Sequence, residues 1–203
     1  GNSNISSLRI PVLQSGATDG QVLTYNSTNG NITLADAGGG LSNNSTQGGL
    51  GIGTNALDSE TSGAANNVGI GPSALTANTT GGHNTAVGPL TLQANTTGQW
   101  NTAVGYNALN DNTTWWNTAV GATAGQLIDN GSGNSCVGYE ALDSCTSGAR
   151  NVAMGQMALT GVSAGGYNVG IGYRSGQGIT TGDNNVNIGN YSGGNAGTSV
   201  ASC

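Results

Sequence analysis

The chain has 203 residues, with 38 Gly, no Phe and a formal net charge of −6. Its only basic side chains are Arg9, Arg150 and Arg174, so neither nucleic-acid phosphates nor an anionic membrane surface finds electrostatic support, and no stretch approaches the eighteen apolar residues of a membrane span. Small polar residues fill most positions, which excludes a thick layered core, while the steady return of Val and Ile argues against disorder.

Residues 1–40 read as a connector and a β-hairpin with a glycine hinge. The segment 1–19, containing "RIPVLQSG", is extended, and the chain opens on Gly1 with no charged-then-apolar leader. A strand over 21–25, an Asn and Gly turn, a strand over 31–35 and the run Gly38, Gly39 and Gly40 complete the unit.

Residues 41–194 are a repeat domain. Nine glycines close nine near-copies of one motif: Gly53, Gly71, Gly88, Gly105, Gly121, Gly138, Gly155, Gly172 and Gly189. Their spacing is 17 residues, with one interval of 18 and one of 16. Self-similarity at a fixed period is the signature of stacked units, so the predicted fold is all-β, a parallel β-roll or β-solenoid of nine rungs. Before each Gly stands an aliphatic residue (Ile52, Val87, Val104, Met154), and two positions earlier a β-branched or related one (Val68, Thr85, Thr102, Val152). This spacing of two predicts a short strand with those residues on one face. The other face carries a small column, Gly69, Ala86, Ala103, Ala119, Cys136 and Ala153, flat enough for another chain to approach. After the corner a second apolar pair recurs, as Ala74-Leu75 and Ala108-Leu109, and predicts a second strand, placed in doubt where Gly125, Gly176 and Gly193 replace the Leu. The closing Gly is expected to hold a corner with positive φ. Residues 195–203 form a C-terminal tail.

An Asn precedes every strand from the second unit onward: Asn67, Asn84, Asn101, Asn117, Asn134, Asn151, Asn168 and Asn185. Stacked at one height per coil, these amides can bond along the axis as a structural ladder. Because the rungs are thin, the chain is expected to be stabilised by copies of itself, meeting through the Ala and Gly column.

Parts for catalysis are lacking. There is one histidine, His83, no lysine and no nucleophile elbow, so the expectation is a non-enzyme with no cofactor and no metal. The carboxylates sharing a repeat column, Asp58 and Asp143, lie five rungs apart. Cys136 reads as a small packed residue, and a bridge to Cys145 is the alternative. Binding has better material. The position just before the Asn varies: Asn66, His83, Trp100, Trp116, Gly133, Arg150, Tyr167 and Asn184. All three Trp of the chain, Trp100, Trp115 and Trp116, fall on this edge. His83, Trp100, Trp115, Trp116, Arg150 and Tyr167 are therefore the candidate binding residues, against a glycan or protein receptor or against a neighbouring chain. A second column, Tyr106, Tyr139 and Tyr173 with Arg174, follows the motif Gly.

The pattern "NTAVGYNAL…NTTGxxN" resembles the head repeats of YadA-like trimeric adhesins and, more closely, the "NTAVG" repeat stalks of phage and virus tail fibres. The likeness spans residues 49 to about 192. It implies a left-handed β-roll wound into a homotrimer, a virion location and a role in host attachment. "DGQVLTYNS" is similar to segments of phage tail fibres and favours the viral reading. A bacterial cell-surface adhesin head is the alternative, and a glycan-cleaving spike the third.

Overall fold

The structure, a computed structural model, describes residues 22–26, 31–35, 41–44, 49–61 and 64–193. Strand β1 (Val22–Asn26) pairs antiparallel with β2 (Asn31–Ala35). The connector, the turn at 27–30, the glycine hinge and the tail from 195 lie outside the described residues. Strand β3 (Leu41–Asn44) pairs antiparallel with β4 (Gly49–Ile52) and covers the first rung. From β4 the chain is a parallel β-solenoid. Eight further strands follow, each of three residues: β5 (Val68–Ile70), β6 (Thr85–Val87), β7 (Thr102–Val104), β8 (Thr118–Val120), β9 (Ser135–Val137), β10 (Val152–Met154), β11 (Val169–Ile171) and β12 (Val186–Ile188). Each pairs with the next in register, as in Thr85 with Thr102 and Val87 with Val104. At a parallel strand separation of about 4.8 Å the nine strands span roughly 38 Å.

One strand per coil is found, where two were expected. The Ala-Leu pairs do point into the core, but the Leu residues stand at positive φ, from 48 to 55° in Leu57, Leu75, Leu92, Leu109, Leu142 and Leu159, which an extended chain cannot adopt. Short-range bonds such as Ala74 N–H to the Gly71 carbonyl (3.2 Å) close this stretch as a turn. A bulky residue in the left-handed region costs roughly 1–2 kcal/mol, and the site answers with two gains. The Leu side chain is buried, and its N–H reaches the next coil, as in Leu75 N–H to the Thr91 carbonyl at 3.0 Å. Gly125, Gly176 and Gly193 take the same conformation, with φ of 59, 68 and 70°.

The closing glycines have φ between 118 and 135°. In all but the last, a Cβ would also strike the glycine of the coil above; at Gly105 it would lie 2.5 Å from the Gly121 carbonyl oxygen. Conformation and crowding together make this column glycine.

The orientation of the strands reverses the expectation. Ala86, Ala103, Ala119, Cys136 and Ala153 are fully buried and line the inside of the coil, whereas the Val and Ile columns point outward. The reason is the width of a 17-residue coil. Its Leu projects across the interior onto the strand position of the next coil, so closely that a Cβ on Gly69 would sit 3.1 Å from Leu57 Cγ and one on Gly170 only 2.6 Å from Leu159 Cγ. Wherever the turn supplies this Leu, the strand position that it reaches is Ala or Gly. The two exceptions obey the same rule. Opposite Gly125 stands Cys136, with its Sγ 3.0 Å from where a Cβ on Gly125 would be, and opposite Gly176 stands Asn187, with Nδ2 at 3.3 Å. Where the turn loses its Leu, the strand gains bulk and an Ile three residues on shares the space: Ile128 Cδ1 lies 2.9 Å from a Cβ on Gly125, and Ile179 Cδ1 3.4 Å from one on Gly176.

The eight Asn are buried, and each ties coils together through its backbone as well as its side chain. Asn84 shows the pattern. Its N–H donates to Asn67 Oδ1 of the coil below (2.8 Å), its Nδ2 donates to the Gly98 carbonyl that closes its own coil (2.8 Å), and its Oδ1 accepts from Asn101 N–H above (3.0 Å). Amide-to-amide bonds add to this in the upper half, for instance Asn151 Nδ2 to Asn134 Oδ1 at 3.1 Å. At the foot, Asn67 Nδ2 also donates to Glu60 Oε1 at 2.7 Å.

Two outcomes test this packing. Gly125→Leu should overfill the coil and destabilise by about 1–3 kcal/mol, and adding Cys136→Ala should recover part of the loss; strictly additive effects in thermal denaturation would refute the size pairing. Asn134→Ala leaves the buried Asn151 N–H and the Gly148 carbonyl without their amide partner. It should cost about 2–4 kcal/mol by denaturant titration, on the scale of two buried groups left unpaired.

Candidate functional site

The varied position before each Asn is a corner at positive φ: 60° at His83, 61° at Trp100, 60° at Trp116, 73° at Gly133, 58° at Arg150 and 59° at Tyr167. Each corner N–H donates to the coil below, Trp100 to the Gly82 carbonyl and Trp116 to the Gln99 carbonyl at 3.1 Å. Backbone bonds hold the corner whatever its side chain, so the side chain is free to differ and projects into solvent. Trp100, Trp115, Trp116 and Tyr167 are 52, 48, 61 and 52 % exposed.

The structure brings the candidate residues into one edge in two groups. In the lower group the rings of His83 and Trp100 stack in parallel, 3.9 Å between centroids and 9° between planes. Trp115 meets Trp116 edge to face at 5.7 Å. In the upper group, Arg150 donates a hydrogen bond to the Tyr167 hydroxyl and its guanidinium lies 5.3 Å from the Tyr167 ring centroid. Gly133 separates the groups.

The second aromatic column has a member that the sequence reading missed. Tyr191 packs edge to face on Tyr173 at 5.1 Å, and Arg174 lies 5.4 Å from the Tyr173 centroid. Tyr191 sits one place later in its repeat than Tyr173, so alignment on the motif Gly hides the pair.

Chemistry elsewhere is sparse. Asp143, whose column partner Asp58 is remote, instead has Glu140 beside it on the same coil. Partial burial raises its carboxyl above the ordinary range, and Glu140 adds to this against the opposing hydrogen bond from the Ser144 hydroxyl. The nearby Tyr139 hydroxyl is raised by its hydrogen bond to Glu140. Cys136 and Cys145 are buried free thiols and form no bridge. Burial drives the Cys136 thiol far above its usual range, with Cys145 adding, and pushes Cys145 up to about 11, against a hydrogen bond with the Gly148 backbone. Neither thiol is activated. Among the described residues no three His, Cys, Asp or Glu side chains are grouped to hold a metal ion. The sequons at Asn78, Asn95 and Asn112 are closed to glycosylation in the folded chain, because those side chains are fully buried.

Comparison with protein-family models, curated proteins and solved structures finds no match in any of the three.

The thiols provide a check on this site. Under native conditions at pH 8, iodoacetamide should leave Cys136 and Cys145 unmodified, and both should label on unfolding in denaturant. Peptide mapping that found native labelling at either would contradict their burial.

Proposed function

We propose that this chain is a structural and adhesive segment of a viral tail fibre, non-enzymatic, that assembles with copies of itself and contributes to host attachment. The observation that carries the proposal is the bare outer face of the parallel sheet. Parallel sheets are ordinarily covered on both faces. Here the inner face is covered by the Leu column, while the outer one presents Leu50 and Ile52 at 39 and 37 %, Val120 and Val137 at 39 and 38 %, Met154 at 46 %, and Val186 and Ile188 at 46 and 65 % exposure. Such a stripe, repeated on every rung and about 38 Å tall, is the kind of surface that oligomers bury.

Self-association therefore uses the aliphatic face, and not the Ala and Gly column that the sequence reading chose, since that column is inside the coil. Identical rungs on each copy meet in matching register, which suits a closed symmetric assembly. The number three, the left hand of the coil and the virion setting come from the resemblance to tail-fibre and trimeric-adhesin repeats. The Thr members of the outer columns, Thr85, Thr102 and Thr118, make the middle of the face less apolar than its ends.

Sedimentation equilibrium should return three times the chain mass of 19.8 kDa. Val104→Asp with Val137→Asp places two carboxylates on the buried face of the assembly and should shift the mass to that of one chain, with β-structure retained by circular dichroism. A wild-type monomer at tens of micromolar would sink the assembly. Gold-conjugated antibody raised against the chain should decorate fibres of intact virus particles and reduce adsorption to host cells; labelling confined to bacterial envelopes would transfer the segment to a cell-surface adhesin.

A further inference from the structure

The aromatic edge has a gap with definite walls. Going up the column, the corner side chains are His83, Trp100, Trp116, then none at Gly133, then Arg150 and Tyr167. A Cβ on Gly133 would meet a single neighbour, Arg150 Cγ in ordinary van der Waals contact at 3.5 Å, so the Arg150 stem roofs the glycine and no other side chain crowds it. The Arg150 guanidinium is turned away toward Tyr167, which accepts its hydrogen bond, and leaves the aliphatic stem over the gap. Below the gap is Trp116, braced edge to face by Trp115. Because the Arg150 stem reaches to 3.5 Å from a Cβ on Gly133, one rung above Trp116, the two walls are at most roughly 8 Å apart at the usual strand separation. A saturated six-membered ring lying between them at contact distance on both sides needs roughly 7–8 Å.

We propose that the notch at Gly133, between Trp116 and the Arg150 stem, binds one pyranose of a neutral glycan, and that Trp100 with Trp115 extends the platform along the edge. Three observations select this ligand class. Tryptophan offers a broad apolar ring and an N–H donor, the combination that matches the C–H face and the hydroxyls of a sugar. The corner column has no carboxylate, its one guanidinium, at Arg150, is turned to the Tyr167 hydroxyl, and the chain as a whole carries −6, so a polyanion is disfavoured and a neutral polyol is not. The residues that precede the corners at Trp100 and Gly133 are Gln99 and Ser132, an amide and a hydroxyl rather than aliphatics.

The column also shows that the aromatic residues are there against local preference. Asn66, Gly133 and Asn184 are residue types that tolerate the left-handed corner, whereas Trp100 and Trp116 adopt it at φ of 61 and 60° without that ease. Bulky residues kept in such a conformation, and kept exposed, point to contact with something outside the coil.

The inference takes its attachment setting from the proposed fibre function, but the binding itself is testable on the isolated chain. All three tryptophans belong to this edge, so intrinsic fluorescence reports on it alone. Titration with chitohexaose and cellohexaose should give a saturable shift in emission for at least one, and polysialic acid should give none. Gly133→Trp fills the notch with a residue that the same corner accepts at Trp100 and Trp116, and it should weaken binding at least tenfold with circular dichroism unchanged and the melting temperature lowered by only a few degrees, the cost of a bulky residue in a left-handed corner. Trp116→Ala should do the same. The proposal is overturned if neither hexasaccharide produces a saturable shift in folded protein, if polysialic acid binds more tightly, or if Gly133→Trp binds like wild type. It is equally overturned if Trp116→Ala lowers the sedimenting mass, because the edge is then a contact between chains. The fibre function stands or falls separately, on the mass of the wild type and on the labelling of particles.

Discussion

Hydrogen bonds that run parallel to the long axis, one coil height apart, hold this molecule together. They include the strand ladder, but they also join turns to turns, as Leu75 to Thr91 and Thr79 to Thr96, and corners to corners, as Trp100 to Gly82. Because a coil must offer its N–H and carbonyl groups where the next coil needs them, its length hardly varies. Left-handed residues, several per coil, are accepted for the same reason: they aim backbone groups along the axis at turns where an ordinary chain would aim them at water. The buried Asn is the most economical member of this system, since one side chain closes its own coil and hooks the one above.

The interior that this frame encloses is narrow. It admits one Leu per coil, and the strand opposite must then be Ala or Gly, with Cys136 and Asn187 appearing where the Leu is missing. A strand whose small side faces in has its Val and Ile facing out. The outward aliphatic face is therefore a consequence of core geometry, and the proposed self-association rests on that face. The same constraint separates two kinds of surface. The sheet face carries an aliphatic residue before the closing glycine on every rung, whereas the corner column is held by its backbone and is free to carry His, Trp, Gly, Arg or Tyr. The proposed assembly and the proposed glycan contact thus use different sides of one coil.

The candidate edge was legible because it is periodic: variation at one column of an otherwise regular repeat marks positions that the fold does not dictate. Grouping within that edge was not legible. The stack of His83 on Trp100 and the turning of Arg150 toward Tyr167 depend on rotamers. Tyr191 pairs with Tyr173 from a neighbouring repeat position, and Glu140 lies beside Asp143 within one coil, so a comparison column by column overlooks both.

The amino-acid sequence determined the period, the parallel stacking, the glycine corner and the Asn column, because each recurs at 17 residues and a repeating backbone bond demands a repeating residue. Which side of the strand faces inward was decided only in three dimensions. Alternation at a spacing of two shows that Ala86 and Val87 lie on opposite faces, yet hydrophobicity alone points the Val inward. The Leu reaching across from the previous turn occupies that space first, and the strand turns its smaller side to meet it.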